Sequence, residues 1–262
     1  MSSARLLPAM LAGVVGLCVS WGVEALDVER LAPSESALLR STLQHLEPLI
    51  SAKKRDGSAN LLTWEELYHP LAVEEQGFLD AVRAIKAEAL GSTSHYFGER
   101  AGPPSLVSVG AQQVLKDGAP APLDAQFLPN DVLEAYETMM QAMERDLGRR
   151  LLVESGYRSP AYQLYLFAFY LPSHEESIRE TNRHVALPGY SEHGNPQRQA
   201  IDFINQDGIN GEDHPEIFEA LPEYAWLAQH AAQFGFYLSY PRDNPHHTAF
   251  EPWHWHYENS GQ

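Results

Sequence analysis

The sequence predicts an α+β fold: a small antiparallel sheet flanked by helices, preceded by an N-terminal helical module. Three observations predict it. Apolar residues recur at helical spacing over long stretches, short apolar runs of strand length lie between them, and irregular Pro- and Gly-bearing passages separate the two signals. The 262 residues are 44% hydrophobic and 10% aromatic, which suffices for a core and excludes disorder as the main state. That length accommodates one large domain, or a catalytic domain with a smaller module. No internal repeat recurs at a period of 20 to 50 residues.

Residues 1–25 read as a secretory signal peptide. Arg5 lies near the amino terminus, Leu6 to Val19 is almost unbroken apolar sequence, and Val23-Glu24-Ala25 fits a cleavage site. The alternative is an uncleaved membrane anchor, because the apolar stretch approaches spanning length. The one cysteine, Cys18, lies inside this segment, with bulky Leu17 before it instead of the small residue of a lipoprotein site. Cleavage therefore removes disulfides, thiolate metal sites and a cysteine nucleophile together.

Residues 26–98 read as a helical module. Ser36 is placed as the cap of a helix carrying Leu39, Leu43, Leu46 and Ile50, with Pro48 expected to kink it or end it early. Thr63 and Glu66 make a capping box, and Phe78, Val82, Ile85 and Ala89 form a second stripe closed by Gly91. Residues 99–127, with Pro103, Pro104, Gly118, Pro120 and Pro122, read as a connecting segment over the surface. A second domain, residues 128–262, opens with a helix capped by Asn130 or Asp131, carrying Val132, Tyr136, Met139 and Met143 and closed by Gly148. Leu151 to Glu154 is a strand, Ser159-Pro160 opens a helix, Tyr224 to Phe234 is a helix stopped by Gly235, and Phe236 to Tyr240 is a strand.

The formal charge of −17 places nucleic acids at the bottom of the list of partners, since phosphate-backbone affinity comes mostly from Lys and Arg. Histidine is distributed unevenly: nine of twelve fall between His174 and His256. Imidazole is the commonest zinc side chain, so the skew points to a metal site, although three protein ligands suffice for one. Two clusters narrow the choice. Ser191-Glu192-His193 precedes Ala200-Ile201-Asp202-Phe203, which reads as a strand, and Glu251-Pro252-Trp253-His254-Trp255-His256-Tyr257 sets a carboxylate three residues before a histidine. His193, Asp202 and His254 supply three ligands and leave a fourth zinc position for water, with Glu251 as base. His184 and His214 are fallback ligands in place of Asp202, while His246 and His247 read as solvated, with substrate contact by one of them as the alternative. Trp253, Trp255 and Tyr257 read either as core or groove wall or as ligand contacts, since pockets are commonly lined by aromatics. No Gly-x-Ser-x-Gly elbow surrounds Ser155 or Ser159, so a serine hydrolase is not indicated.

From about Leu128 to Tyr257 the chain resembles the VanY-type D-alanyl-D-alanine carboxypeptidases, the zinc D,D-/L,D-carboxypeptidases that trim peptidoglycan stem peptides. Three motifs in order carry the resemblance: Ser155-Gly156-Tyr157-Arg158-Ser159 with Gln163, Ser191-Glu192-His193 through Asp202, and Glu251-Pro252-Trp253-His254. The resemblance implies a LAS/hedgehog-like peptidase fold. It implies His193, Asp202 and His254 as Zn2+ ligands and Glu251 as catalytic base. It also implies Arg158 as the oxyanion-stabilising and substrate-binding arginine, with Gln163 and Ser191 as further substrate-binding residues. The expected reaction is removal of the terminal D-alanine from a peptidoglycan stem peptide, in the periplasm, with no nucleic-acid partner and no stable membrane insertion once the signal is cleaved. The alternatives are an endopeptidase or dipeptidase on the same site, or a non-catalytic zinc-stabilised module that binds cell-wall peptides. The bond preferred, D,D or L,D, and the oligomeric state stay open.

Two departures from the family pattern stand out. His193 and Asp202 are nine residues apart, two more than the family's usual spacing. Gly194-Asn195-Pro196 lengthens the loop, and Arg198 stands where the family has glycine, a change expected to bear on what the pocket admits. His256 stands where the family usually has arginine. On a strand it shares a face with His254 and is the rival ligand; the Glu251-to-His254 spacing favours His254.

Overall fold

A computed structural model describes residues 26–99, 105–195, 197–244 and 248–258. Residues 1–25, expected as a signal peptide and containing Cys18, lie outside the described residues, as do the prolines 103, 104 and 196 and His246 and His247.

The chain opens with three helices, α1 (Pro33–Asp56), α2 (Trp64–Tyr68) and α3 (Val73–Arg83). Leu39, Leu46 and Ile50 of α1 are buried, as their spacing requires. Two expectations about α1 change. The helix begins at Pro33, with the Ala32 N–H donating to Glu35 Oε2 at 2.6 Å, and Ser36 sits inside it. The helix also runs through Pro48 to a left-handed Gly57 (φ 75°), whose N–H reaches the Lys53 and Lys54 carbonyls. Pro48 costs one helical hydrogen bond, and the burial of Ile50 beyond it together with the glycine cap holds the last turns. Thr63 and Glu66 form the capping box of α2. The stripe from Phe78 divides: α3 stops at Arg83, and a separate 3-10 turn, Ala87–Leu90, carries Gly91 at its end.

The Pro-rich passage is more ordered than a connector. Strands β1 (Leu106–Ser108) and β4 (Phe127–Pro129) pair, and β2 (Gln113–Lys116) and β3 (Ala119–Pro122) form a hairpin. Asp117 and Gly118 turn that hairpin with φ of 54° and 78°, the left-handed geometry of a two-residue turn. Pro120 and Pro122 are tolerated because β3 is an edge strand with a single partner.

Helix α4 (Asn130–Leu147) follows directly on Pro129 and ends at left-handed Gly148, with no side-chain cap from Asn130 or Asp131. The main sheet comes next, in the order β5 (Leu151–Ser155), β6 (Ala200–Asn205), β8 (His254–Tyr257), β7 (Phe236–Leu238), antiparallel throughout. Alternation assigns its faces. Val153, Ile201, Phe203 and Trp255 join Val132, Tyr136, Met139 and Met143 of α4 in one core. Asp202, His254 and His256 therefore project from the opposite face. The Gln112 amide covers the free edge of β5, exchanging hydrogen bonds with the Val153 carbonyl (2.8 Å) and N–H (2.9 Å).

Helix α5 (Pro160–Tyr170), capped by Ser159 through the Tyr162 N–H at 3.1 Å, is apolar almost all round and must be enclosed. The N-terminal helices enclose it: Leu164, Phe167, Ala168 and Leu171 share one core with Leu39, Leu46, Phe78 and Val82. Residues 26–98 thus continue the hydrophobic interior of the second half of the chain. The remaining helices are α6 (Ile178–Thr181), α7 (Pro215–Glu219) and α8 (Pro222–His230). A 3-10 turn, Ala231–Phe234, then leads to left-handed Gly235.

Candidate metal centre

Strand register assembles the site. On β6, Asp202 lies opposite Ser155 of β5 on one side and His254 of β8 on the other. His193 arrives from a 3-10 turn, Glu192–Gly194, that starts at Ser191. The nine-residue spacing does not part His193 from Asp202. His193 Nε2 stands 3.1 Å from Asp202 Oδ2, and His254 Nδ1 stands 2.7 Å from Asp202 Oδ1. One donor atom from each of His193, Asp202 and His254 lies within 4.8 Å of the others, a spacing that suits a shared metal ion.

The contact between His193 and Asp202 suits a cation. His193 Nδ1 donates to the Gly156 carbonyl at 2.7 Å, which leaves Nε2 as a lone pair. Burial, reinforced by the nearby Arg158 guanidinium, pushes the pKa of His193 down to about 4, so the ring is neutral. Its Nε2 is buried with no hydrogen-bond partner, facing the Asp202 carboxylate. Asp202 is held well below the usual carboxylate range: burial opposes this, and the two histidines outweigh it. Two electron-rich atoms in contact are repulsive unless a cation lies between them. An N,O,N set of imidazoles and carboxylate is a donor chemistry that zinc accepts.

Behind His254 lies a polar network of which the motifs gave no account. His254 Nε2 is 3.1 Å from Glu192 Oε2, a contact that directs Nδ1 towards Asp202. Glu192 is buried, and it accepts from Ser239 Oγ (2.5 Å) and from Arg198 Nη2 (2.9 Å) and Nε (3.1 Å). Burial favours its neutral form, yet its contacts with His254, His256 and Ser239 hold its pKa far below the usual value. His256 belongs to this network. Its Nδ1 meets Ser239 Oγ at 2.7 Å and Arg198 at 3.1 Å, its Nε2 meets Glu258 at 3.2 Å, and it is outside the metal-competent trio. Arg198, expected to alter the pocket, is directed away from it, onto Glu192 and Glu258.

In front of the trio opens a cleft of about 980 Å³, lined by Arg158, Gln163, Ser191 and Glu251 among others. Glu251 Oε2 is 3.8 Å from His254 Nδ1. Burial, opposed by His254, pushes the pKa of Glu251 up to about 7. Arg158 Nη2 lies 3.5 Å from Asp202 Oδ2, and its buried Nε–H has no hydrogen-bond partner. Gln163 is different: its amide nitrogen is engaged by the Ala186 carbonyl at 2.7 Å, and its buried Oε1 is unpartnered. As placed, that oxygen suits an N–H donor better than a carboxylate. Glu154, absent from the sequence expectations, also lines the cleft; it accepts from Asn210 at 2.7 Å, and burial pushes its pKa up to about 7. His184 stacks on His174, and His214 pairs with Glu216 on the surface, so neither fallback ligand joins the trio. Trp255 is core, whereas Trp253 lines the cleft.

A family model described as VanY, D-alanyl-D-alanine carboxypeptidase, matches residues 125–260. The chain belongs to the VanY family. Among VanY-like curated proteins, the putative carboxypeptidase YodJ of Bacillus subtilis is 29% identical over 140 residues, covering 52% of this chain and 48% of that protein. The bifunctional D-Ala-D-Ala dipeptidase and carboxypeptidase VanXYC of Enterococcus gallinarum is 29% identical over 139 residues, covering 50% and 67%. A crystal structure of a vancomycin-resistance VanY pentapeptidase variant in complex with Zn(II) is 23% identical, with a TM-score of 0.42, covering 58% of this chain and 80% of that one. The chain thus spans about half the length of the first of these VanY relatives. The match begins at residue 125, so α1 to α3 lie outside it. Among the described residues, no helix is long and apolar enough to cross a membrane.

Proposed function

We propose that this protein is a zinc-dependent carboxypeptidase that removes the terminal D-alanine from peptidoglycan stem peptides. The observation that carries the reading is the convergence of His193, Asp202 and His254 on one point, with Glu251 and Arg158 beside it at the floor of a cleft. Zinc held by these three side chains would polarise the scissile carbonyl and acidify a water. Glu251 takes the proton from the attacking water and later returns it to the leaving amine. Its burial favours that proton exchange near neutral pH, although a bound cation draws its pKa back down. Arg158, whose side chain lines the cleft, supplies the positive charge for the oxygen on which negative charge accumulates, an interaction made most strongly in the transition state. The acceptor on Gln163 suits the peptide N–H of a substrate, and Ser191 lines the same cleft. A cleft of about 980 Å³ is far larger than one alanine, which supports a peptide substrate extending beyond its terminal residue.

The test is mass spectrometry of defined pentapeptide and tetrapeptide muropeptides incubated with residues 26–262, with and without a chelator. Loss of one alanine, abolished by chelator and restored by zinc, is the expected result, and the substrate that reacts decides D,D against L,D preference. No mass change with zinc demonstrably bound would refute carboxypeptidase action.

A further inference from the structure

We propose that Asn60, which lies outside the family-matched segment, is a positioning residue for the site: it braces the loop that carries Arg158 and anchors His193. This rests on the reading above that these two side chains act in the cleft. Asn60 belongs to the 3-10 turn Ala59–Leu61, between α1 and α2, and it is buried. Its Nδ2 donates to Gln126 Oε1 at 2.8 Å and to the Ala125 carbonyl at 3.3 Å. The Gly156 N–H donates to the same Gln126 oxygen at 3.0 Å. The Ser159 N–H donates to the Asn60 carbonyl at 2.9 Å, and Ser159 Oγ donates to the Leu62 carbonyl at 2.6 Å. Both ends of the Gly156–Ser159 turn are therefore tied to the N-terminal helical region.

The other side of the turn is tied to the metal centre. The Gly156 carbonyl accepts from His193 Nδ1 at 2.7 Å, and the Arg158 N–H donates to the His193 carbonyl at 3.1 Å. A continuous path results, from the Asn60 amide through Gln126 and the Gly156 peptide to the His193 ring. The turn has no slack on its β4 side. The Tyr157 N–H is bonded to the Phe127 carbonyl at 2.7 Å, and a Cβ on Gly156 would stand 2.5 Å from that same oxygen. Removing the Asn60 donor leaves Gln126 Oε1 with one partner fewer and frees its amide to rotate, loosening the acceptor that holds Gly156. Ring orientation at a metal ligand and guanidinium placement both depend on such supports.

The test uses residues 26–262 with Asn60→Ala, Gln126→Ala, the double variant, and Val82→Ala, which trims the helical core without removing a hydrogen bond. Three quantities are read: amide hydrogen exchange at Gly156, zinc affinity by competition with a chromophoric chelator, and kcat and KM on a peptide ending in D-Ala-D-Ala. Asn60→Ala is expected to speed Gly156 exchange, weaken zinc binding by roughly 10-fold and lower kcat by roughly 10-fold with KM little changed. Gln126→Ala should reproduce this, and the double variant should be no worse than Gln126→Ala alone. Val82→Ala should lower the melting temperature and leave zinc affinity and kcat as they were. A folded Asn60→Ala protein with unaltered exchange and zinc affinity overturns the proposal, and so does a change confined to KM, which marks a substrate contact instead. If the variants do not fold, exchange of the parent decides: a Gly156 amide that exchanges as fast as an open loop overturns it, and a protected one supports it. A parent that binds zinc and turns over no peptide sinks the carboxypeptidase reading, while exchange and zinc affinity still test the brace.

Discussion

Glu251 and Glu192 are both buried carboxylates within reach of His254, and their surroundings give them opposite characters. Glu251 faces the cleft with no hydrogen bond strong enough to offset its burial, so its pKa rises to about 7. Glu192 sits behind the ring among donors that keep it ionised. Glu251→Gln should therefore lower kcat by about 10²- to 10⁴-fold while zinc affinity and peptide binding persist, read by turnover and by calorimetric titration. Glu192→Gln should act on the metal instead. Loss of the charge that accepts from His254 Nε2, and that pairs Arg198, is expected to weaken zinc binding by about 10- to 100-fold in chelator competition. Retention of parent affinity would show that Glu192 supports the fold alone. The clue to Glu192 was present in the sequence, a carboxylate adjoining His193, but its direction was not: whether it faces solvent or the back of a ring 62 residues away depends on the turn that carries it.

At the scale of elements, short-range chemistry was legible and long-range compensation was not. The Thr63–Glu66 box, the Ser159 cap and the closing glycines at 148 and 235 are complete within a few residues, and each stands where the sequence placed it. The helix does not end at Pro48 because the burial that carries α1 past it comes from tertiary packing. The Pro-rich passage carries a hairpin turned at Asp117-Gly118, and its prolines fit because an edge strand accommodates them. One junction makes a pH-dependent prediction. Glu75, at the start of α3, accepts from the Ala72 N–H at 2.9 Å, from Ser41 of α1, and from His45 of α1 at 2.8 Å. Burial alone would raise its pKa; these partners outweigh burial and lower it below the ordinary 4.5. A carboxyl with a depressed folded pKa contributes stability that is present above about 4.5 and lost as pH falls through the folded value. Glu75→Gln should therefore lower the urea midpoint at pH 7 and flatten its decline below pH ~4.5. An unchanged acid limb would mean that the junction does not contribute.

For the whole molecule, the decisive feature is that the family-matched segment holds one core of its own and shares the other with the N-terminal helices. Leu164 and Phe167 of α5 are covered by α1 and α3, which precede that segment, and fully burying a Leu or Phe side chain is worth about 1.5–3 kcal/mol. Residues 105–262 expressed alone should expose this surface, bind a hydrophobic dye and lose the cooperative thermal transition of residues 26–262. A fragment melting at the parent temperature would show that the N-terminal helices are dispensable for folding. The sequence by itself determined the inventory: an α+β chain, the order and types of His193, Asp202, Glu251 and His254, and the alternation that puts His254 and His256 on one strand face. These are properties of residue type and local period, which do not depend on distant chain. Only the tertiary structure decided that His254 joins the trio while His256 turns to Ser239 and Arg198. It alone showed that Glu192 backs the ring and that Asn60 reaches the loop of Arg158. Each of those contacts joins segments far apart in the chain, and strand register and core packing, which no local pattern encodes, bring them within hydrogen-bond distance.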